Sequence, residues 1–222
     1  MKMFNYCLTL IVFSFAACNG RTNSVDQPAI FIDTTKPFKK EIPTYPDGSQ
    51  DIFYKLAKTK QKQLGLDSLE SGFDNLQIRI WYDFSLVRER RLIVITNRGT
   101  NWKATIYNLQ VDWDGHTETI ISKTVKQVTP KSSWQIFLQK LMNFQVLTLP
   151  DQNDIPSYEG GNDGNTYNVE VATKNQYRFY GYWEPQMYQD KYWQAKNMAD
   201  ILNLIKQEFD VCDEAEKFGG CK

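Results

Sequence analysis

The chain has 222 residues with 26 basic and 26 acidic side chains and a single histidine. The balanced total implies no polyelectrolyte partner, nucleic acid included. The lone His116, in Asp-Gly-His, removes most histidine-based metal sites and sits where turn residues belong.

The chain opens MKMFNYCLTLIVFSFAACNG: one lysine, an apolar run from about Leu8 to Phe15, then small residues before Cys18. That order predicts an export signal over 1–17. The run is short of the roughly 20 apolar residues that cross a bilayer as a helix. Phe15-Ala16-Ala17-Cys18 resembles the lipobox of bacterial lipoproteins, departing from it at Phe15, where Leu is usual. The resemblance covers only the signal, and it implies that Cys18 carries a diacylglyceryl thioether and an N-acyl chain. Two or more chains anchor stably where one holds marginally, so the implied first partner is a membrane, reached through lipid on Cys18. An ordinary secretory signal cut near Ala17 is the alternative. Asn19, with no Asp beside the cysteine, is similar to lipoproteins sorted to the outer membrane and facing the periplasm.

Residues 18–47 are polar and punctuated by Pro28, Pro37, Pro43 and Pro46, the composition of an extended tether. A single domain is expected over 48–222, long enough for one core. Cys7 leaves with the signal and Cys18 with the lipid, leaving Cys212 and Cys221 in CDEAEKFGGC. In an oxidising compartment that pair reads as a disulfide, whose short loop contributes about 2.5 kcal/mol in the chain-entropy view.

A first helix is expected from Ser49 to Leu64, with Ser49 as cap and Phe53, Leu56, Ala57 and Leu64 inward. NLQIRIWYDF then alternates, with Leu76, Ile78, Ile80, Tyr82 and Phe84 on one face and Gln77, Arg79, Trp81 and Asp83 on the other. RLIVIT, WKATIYNLQVDW and TETIISKTVKQV follow as strands, the last two joined at Asp114-Gly115, a hairpin signal. Ser132 and Gln135 suggest a capping box before a helix burying Trp134, Phe137, Leu138, Leu141 and Met142. TYNVEVAT and YRFYGYW form a second hairpin. Asp190 can cap a last helix whose inward stripe is Ala195, Met198, Ile201, Leu202, Ile205 and Phe209. The expected class is α+β: an antiparallel sheet of about six strands, a four-strand meander plus a C-terminal hairpin, with three helices.

Gly-x-Ser-x-Gly, His-Glu-x-x-His and phosphate-cradling glycine loops are all missing from the sequence. No cofactor and no metal site is expected. Asp151-Gln152-Asn153-Asp154 and Asn162-Asp163-Gly164-Asn165 lack the EF-hand calcium pattern, and turn chemistry accounts for them. Arg79, Arg88, Arg90, Arg91, Arg98 and Lys103 crowd one region, and Glu208, Asp210, Asp213, Glu214 and Glu216 another, so two patches of opposite sign are expected. Arg88-Glu89-Arg90-Arg91 reads as a solvated turn, with contact to anionic lipid as the alternative.

The pairing of TYNVEVAT with YRFYGYW decides which rings are inward. A three-residue loop, Lys174-Asn175-Gln176, sets Val171 against Phe179 and Val169 against Gly181; a two-residue loop sets Val171 against Arg178 and Val169 against Tyr180. The first is preferred, because the second lays an arginine among valines. Tyr177, Phe179 and Trp183 then belong to the core, and Arg178, Tyr180 and Tyr182 to the opposite face beside Glu170, Arg79 and Trp81. Rings, guanidinium groups and carboxylates together suit peptide or glycan binding, and cross-strand pairing accounts for them equally well.

The mature part resembles small uncharacterised lipoproteins of Gram-negative envelopes. The expectation is a lipid-anchored, periplasm-facing binding or accessory module without catalysis, its partner an envelope protein or glycan. A glycan hydrolase using a carboxylate pair, and a structural or inhibitory partner of another envelope protein, are the alternatives.

Overall fold

The computed structural model describes residues 36–211 apart from 46, 85–86, 116 and 162. The signal, Cys18, His116, Cys212 and Cys221 lie outside the described residues. Elements in chain order are β1 (Lys39–Glu41), α1 (Ile52–Leu64), β2 (Leu76–Phe84), β3 (Glu89–Arg98), β4 (Asn101–Trp113), β5 (Glu118–Val128) and α2 (Trp134–Asn143). A 3-10 turn (Gln152–Asp154), β6 (Asn165–Thr173), β7 (Gln176–Trp183), α3 (Pro185–Tyr188) and α4 (Trp193–Phe209) follow.

The class is α+β, but the sheet differs from expectation in number and direction. It has seven strands in the order β1-β7-β6-β2-β3-β4-β5. The meander from β2 to β5 and the β6–β7 hairpin are antiparallel, with β6 laid against β2. The seventh strand comes from the expected tether: β1 runs parallel to β7, and Lys39 N–H donates to the Asn175 carbonyl at 2.9 Å. Packed structure thus begins before residue 48.

Helices cover both faces of the sheet, so there are two cores. On the first face, Leu76, Ile78, Ile80 and Tyr82 of β2 pack with Phe137, Leu138 and Leu141 of α2 and Met198, Ile201, Leu202 and Ile205 of α4. On the second, Trp81, Leu92, Val94, Tyr177 and Phe179 pack with Tyr54, Ala57 and Leu64 of α1. Every residue of β2 is buried, as a strand with no solvent face must be.

Cap positions move by one or two residues from expectation. The Asp51 carboxylate, rather than Ser49, accepts from the N–H groups of Phe53 and Tyr54 at 2.7 and 3.1 Å. Ser133, rather than Ser132, accepts from Ile136 N–H at 3.2 Å. Asp190 lies outside α4, whose first residue is Trp193. Because α1 starts at residue 52, its buried positions are Tyr54, Ala57, Lys60, Gln61 and Leu64, and Phe53 and Leu56 are only partly covered. The six inward residues expected of α4 are all buried.

The second hairpin takes the register that sequence reasoning set aside. Val171 faces Arg178 and Val169 faces Tyr180, across the two-residue loop Lys174-Asn175. The arginine is accommodated because it has partners: Glu41 of β1 forms an ion pair with it, and its guanidinium donates to the carbonyls of Leu147 and Leu149 at 2.6 and 2.9 Å. A satisfied charge removes the penalty that argued against this pairing.

Candidate functional site

The face expected to be open is closed. Tyr180 and Tyr182 are buried against the segment that follows α2, their hydroxyls donating to the carbonyls of Val146 and Pro150 at 2.7 Å each. Arg79, Trp81 and Glu170 are buried too, but on the other face, beneath α1. The register correction separates the two sets: Arg178, Tyr180 and Tyr182 share a side with Val169 and Val171, while Tyr177 and Phe179 share one with Ala172. The six residues form no common surface.

Beneath α1 lies a network of buried charges that the sequence did not suggest. Glu170, with no exposed surface, accepts from Trp81 Nε1 at 3.1 Å and from the Tyr177 hydroxyl at 2.8 Å. Lys58 is ion-paired with it, and Arg79 Nη1 stands 3.6 Å away. Arg79 is held further by its Nε donating to Gln77 at 2.9 Å and its Nη2 to the Asp67 carbonyl at 2.8 Å. Burial holds its pKa below the ordinary arginine value, with the Glu170 charge opposing. Tyr177 is pushed up, by burial first and by Glu170 next.

A second group surrounds Lys60, which is ion-paired with Asp83 and stands 3.3 Å from Glu118. Arg90 Nη2 reaches Glu118 at 2.6 Å, and Asn168 Nδ2 donates to Asp83 at 3.2 Å. Lysine on an amphipathic helix normally marks the wet side; here carboxylates from β2 and β5 draw it inward. The expected basic patch is dispersed by the same packing. Arg90 spends its Nη1 on the carbonyls of Phe84, Val87 and Glu89. Arg91 donates to Asn108 at 2.9 Å, and exposed Arg88 pairs with Asp112 at 3.0 Å.

Asp151, considered for calcium, caps the 3-10 turn, accepting from Asn153 N–H at 2.9 Å and from Gly181 N–H at 2.8 Å. Among the described residues no group of His, Cys, Asp and Glu is placed to hold a metal ion. Burial raises the Asp151 carboxyl to about 6, although both N–H groups favour the anion. A folded pKa above the ordinary 3.8 means that the folded chain holds this proton more tightly than the unfolded chain. Its contribution to stability therefore falls as pH rises from about 4 to about 6. Urea titrations of wild type and Asp151→Asn at pH 4 and pH 7 should show wild type losing about 2–3 kcal/mol relative to the variant, at 1.36 kcal/mol per pKa unit. A difference independent of pH would contradict the assignment.

One margin of the sheet is β5, closed at its start by Gln63 of α1, which donates to the Glu118 carbonyl at 2.9 Å and accepts from Ile120 N–H at 2.7 Å. β5 is eleven residues long and, among the described residues, has β4 as its one strand neighbour. Ile121 and Val125 on it are 62% and 53% exposed, and Trp113 at the end of β4 is 57% exposed. Lys123 and Lys126 are exposed as well, a usual device against indiscriminate edge pairing. The sequence predicted this strand but had no signal for its place at the sheet margin.

No protein-family model matches the chain, and neither a curated protein nor a solved structure matches it. The fold and its surfaces define an α+β domain with a mixed seven-stranded sheet, a buried ionic network on one face and an open margin at β5.

Proposed function

We propose that the chain is a lipid-anchored, periplasm-facing outer-membrane protein whose folded domain is a non-catalytic binding or accessory module. The observation that carries this reading is the β5 edge beyond Ile120, with its exposed Ile121 and Val125. An extended segment of another envelope protein can add there as a further strand, main-chain hydrogen bonds supplying affinity and alternate side chains specificity. The lipid at Cys18 precedes β1, and β1 and β5 are the two opposite margins of the sheet. At about 4.8 Å per strand step, the six steps between them put the docking edge about 29 Å across the sheet from the strand that follows the tether.

Two measurements test the reading. Metabolic labelling with an alkyne palmitate analogue should mark the wild-type chain and not Cys18→Ser. A photoreactive residue at Val125 should give a discrete adduct in intact cells, and one at Ile136, exposed on α2, should not. Adducts equal at both positions, or none at Val125, would remove the edge from the proposal.

A further inference from the structure

We infer that the segment docking on β5 is acidic, with two carboxylates three places apart that meet Lys123 and Lys126. This rests on the β5 reading above and names the chemistry of its partner. The outward charge of the strand has one sign. Lys123 and Lys126 are exposed and, among the described residues, neither has an ion-pair partner. The one carboxylate of β5, Glu118, is buried and engaged by Lys60 and Arg90. Exposed Asp112 of β4, across from Thr119, is already paired with Arg88. A strand laid along this edge therefore meets two ammonium groups and no competing carboxylate.

Position turns that charge into a spacing. Lys123 lies opposite Leu109, on the face covered by α1, and Lys126 opposite Ile106, on the face covered by α2 and α4. An added strand needs one acid on each face, and a separation of three places supplies it because side chains alternate. Exposed Val125 lies between the lysines and calls for an apolar neighbour. In antiparallel order the complementary segment reads acid, apolar, any residue, acid, each side chain directly across from its match. Other strands fit worse. A basic segment repels both lysines, and a second copy of β5 brings another Lys123 and Lys126 to the same seam with nothing to offset them. The lysines that discourage indiscriminate pairing thus favour one kind of partner.

Fluorescence anisotropy of rhodamine-labelled Thr-Glu-Val-Thr-Glu-Val-Thr, titrated with the full chain in detergent, tests the inference. The comparisons are the same peptide with Gln or with Lys in place of both Glu, and Thr-Glu-Val-Glu-Thr-Val-Thr, which puts both acids on one face. At low salt the first peptide should bind about fivefold or more tightly than its Gln form, with the advantage shrinking as salt rises. The single-face peptide should fall between them. Lys123→Glu with Lys126→Glu, both at exposed positions, should reverse the order so that the Lys peptide binds best. A photoreactive residue at Val125 should capture the Glu peptide, and one at Ile136 should not. Equal affinity for the Glu and Gln forms, or no peptide bound, would overturn the acidic partner while adducts at Val125 in intact cells kept the docking edge; loss of those adducts would remove both. Equal affinity for the two acidic peptides would overturn the spacing. Binding only after removal of residues 212–222 would make Asp213, Glu214 and Glu216 of this chain the occupant. Flotation with phosphatidylglycerol vesicles that depends on both lysines, without peptide binding, would make it an anionic membrane, and either result would overturn the inference.

Discussion

Glu170→Ala is expected to lower the unfolding free energy by about 3–5 kcal/mol, the cost of breaking a buried ion pair from one side. The size follows from what is left behind. Arg79, Trp81 Nε1 and the Tyr177 hydroxyl lose their shared acceptor, and Arg79 and Tyr177 have almost no solvent to turn to. Glu170→Gln keeps an acceptor oxygen but abandons the charges of Lys58 and Arg79, so it should fall between wild type and alanine. Arg88→Ala serves as the comparison, because its pair with Asp112 is largely exposed and such pairs contribute roughly 0–1 kcal/mol. Urea midpoints for the four chains check the ordering. If Glu170→Ala moved no further than Arg88→Ala, the network would have no structural weight.

Tyr182→Ala should cost a similar amount, about 3–5 kcal/mol, as for large aromatic truncations in cores. Tyr182 has no exposed surface and meets Tyr158 edge-on at 5.8 Å between ring centres. Tyr182→Phe keeps the ring and removes only the donor to the Pro150 carbonyl, a loss of about 1–3 kcal/mol for a buried group left unpaired. Thermal or urea unfolding of both variants reads this directly. A Tyr182→Ala chain as stable as wild type would mean that the segment after α2 does not cover β7. The same reasoning makes paired alanine substitutions at Tyr180 and Tyr182 a measure of folding rather than of ligand binding.

Local patterns carried most of the fold. The stripe from Ala195 to Phe209 and the alternation of Leu76 to Phe84 each reflect a periodicity that a few neighbouring residues suffice to reveal. The non-alternating clue was also present: Trp81 on the supposed wet side of β2, and Tyr177 with Phe179 on β7, are too large and apolar for water, and they belong to a second core. What could not be read depends on residues far apart in the chain. Arg178 finds Glu41 and the carbonyls of Leu147 and Leu149 only after β1 and the segment after α2 have docked. Lys60 is buried for carboxylates on β2 and β5. β1, a charged tripeptide, has no strand pattern to detect. The β5 edge was legible as a strand and illegible as a margin, because strand order follows from the whole sheet.

The placement of β6 beside β2 has a further consequence for a chain that is made N-terminus first. The β2–β5 meander is sequence-local and can close as soon as it emerges, whereas β2 pairs with β6 only after the segment up to Thr173 has followed. Until then the most apolar strand of the protein is an unpaired edge. Such edges seed association between incomplete chains. The interval between the completion of Phe84 and that of Asn165 is therefore the period in which this protein most needs a holdase chaperone.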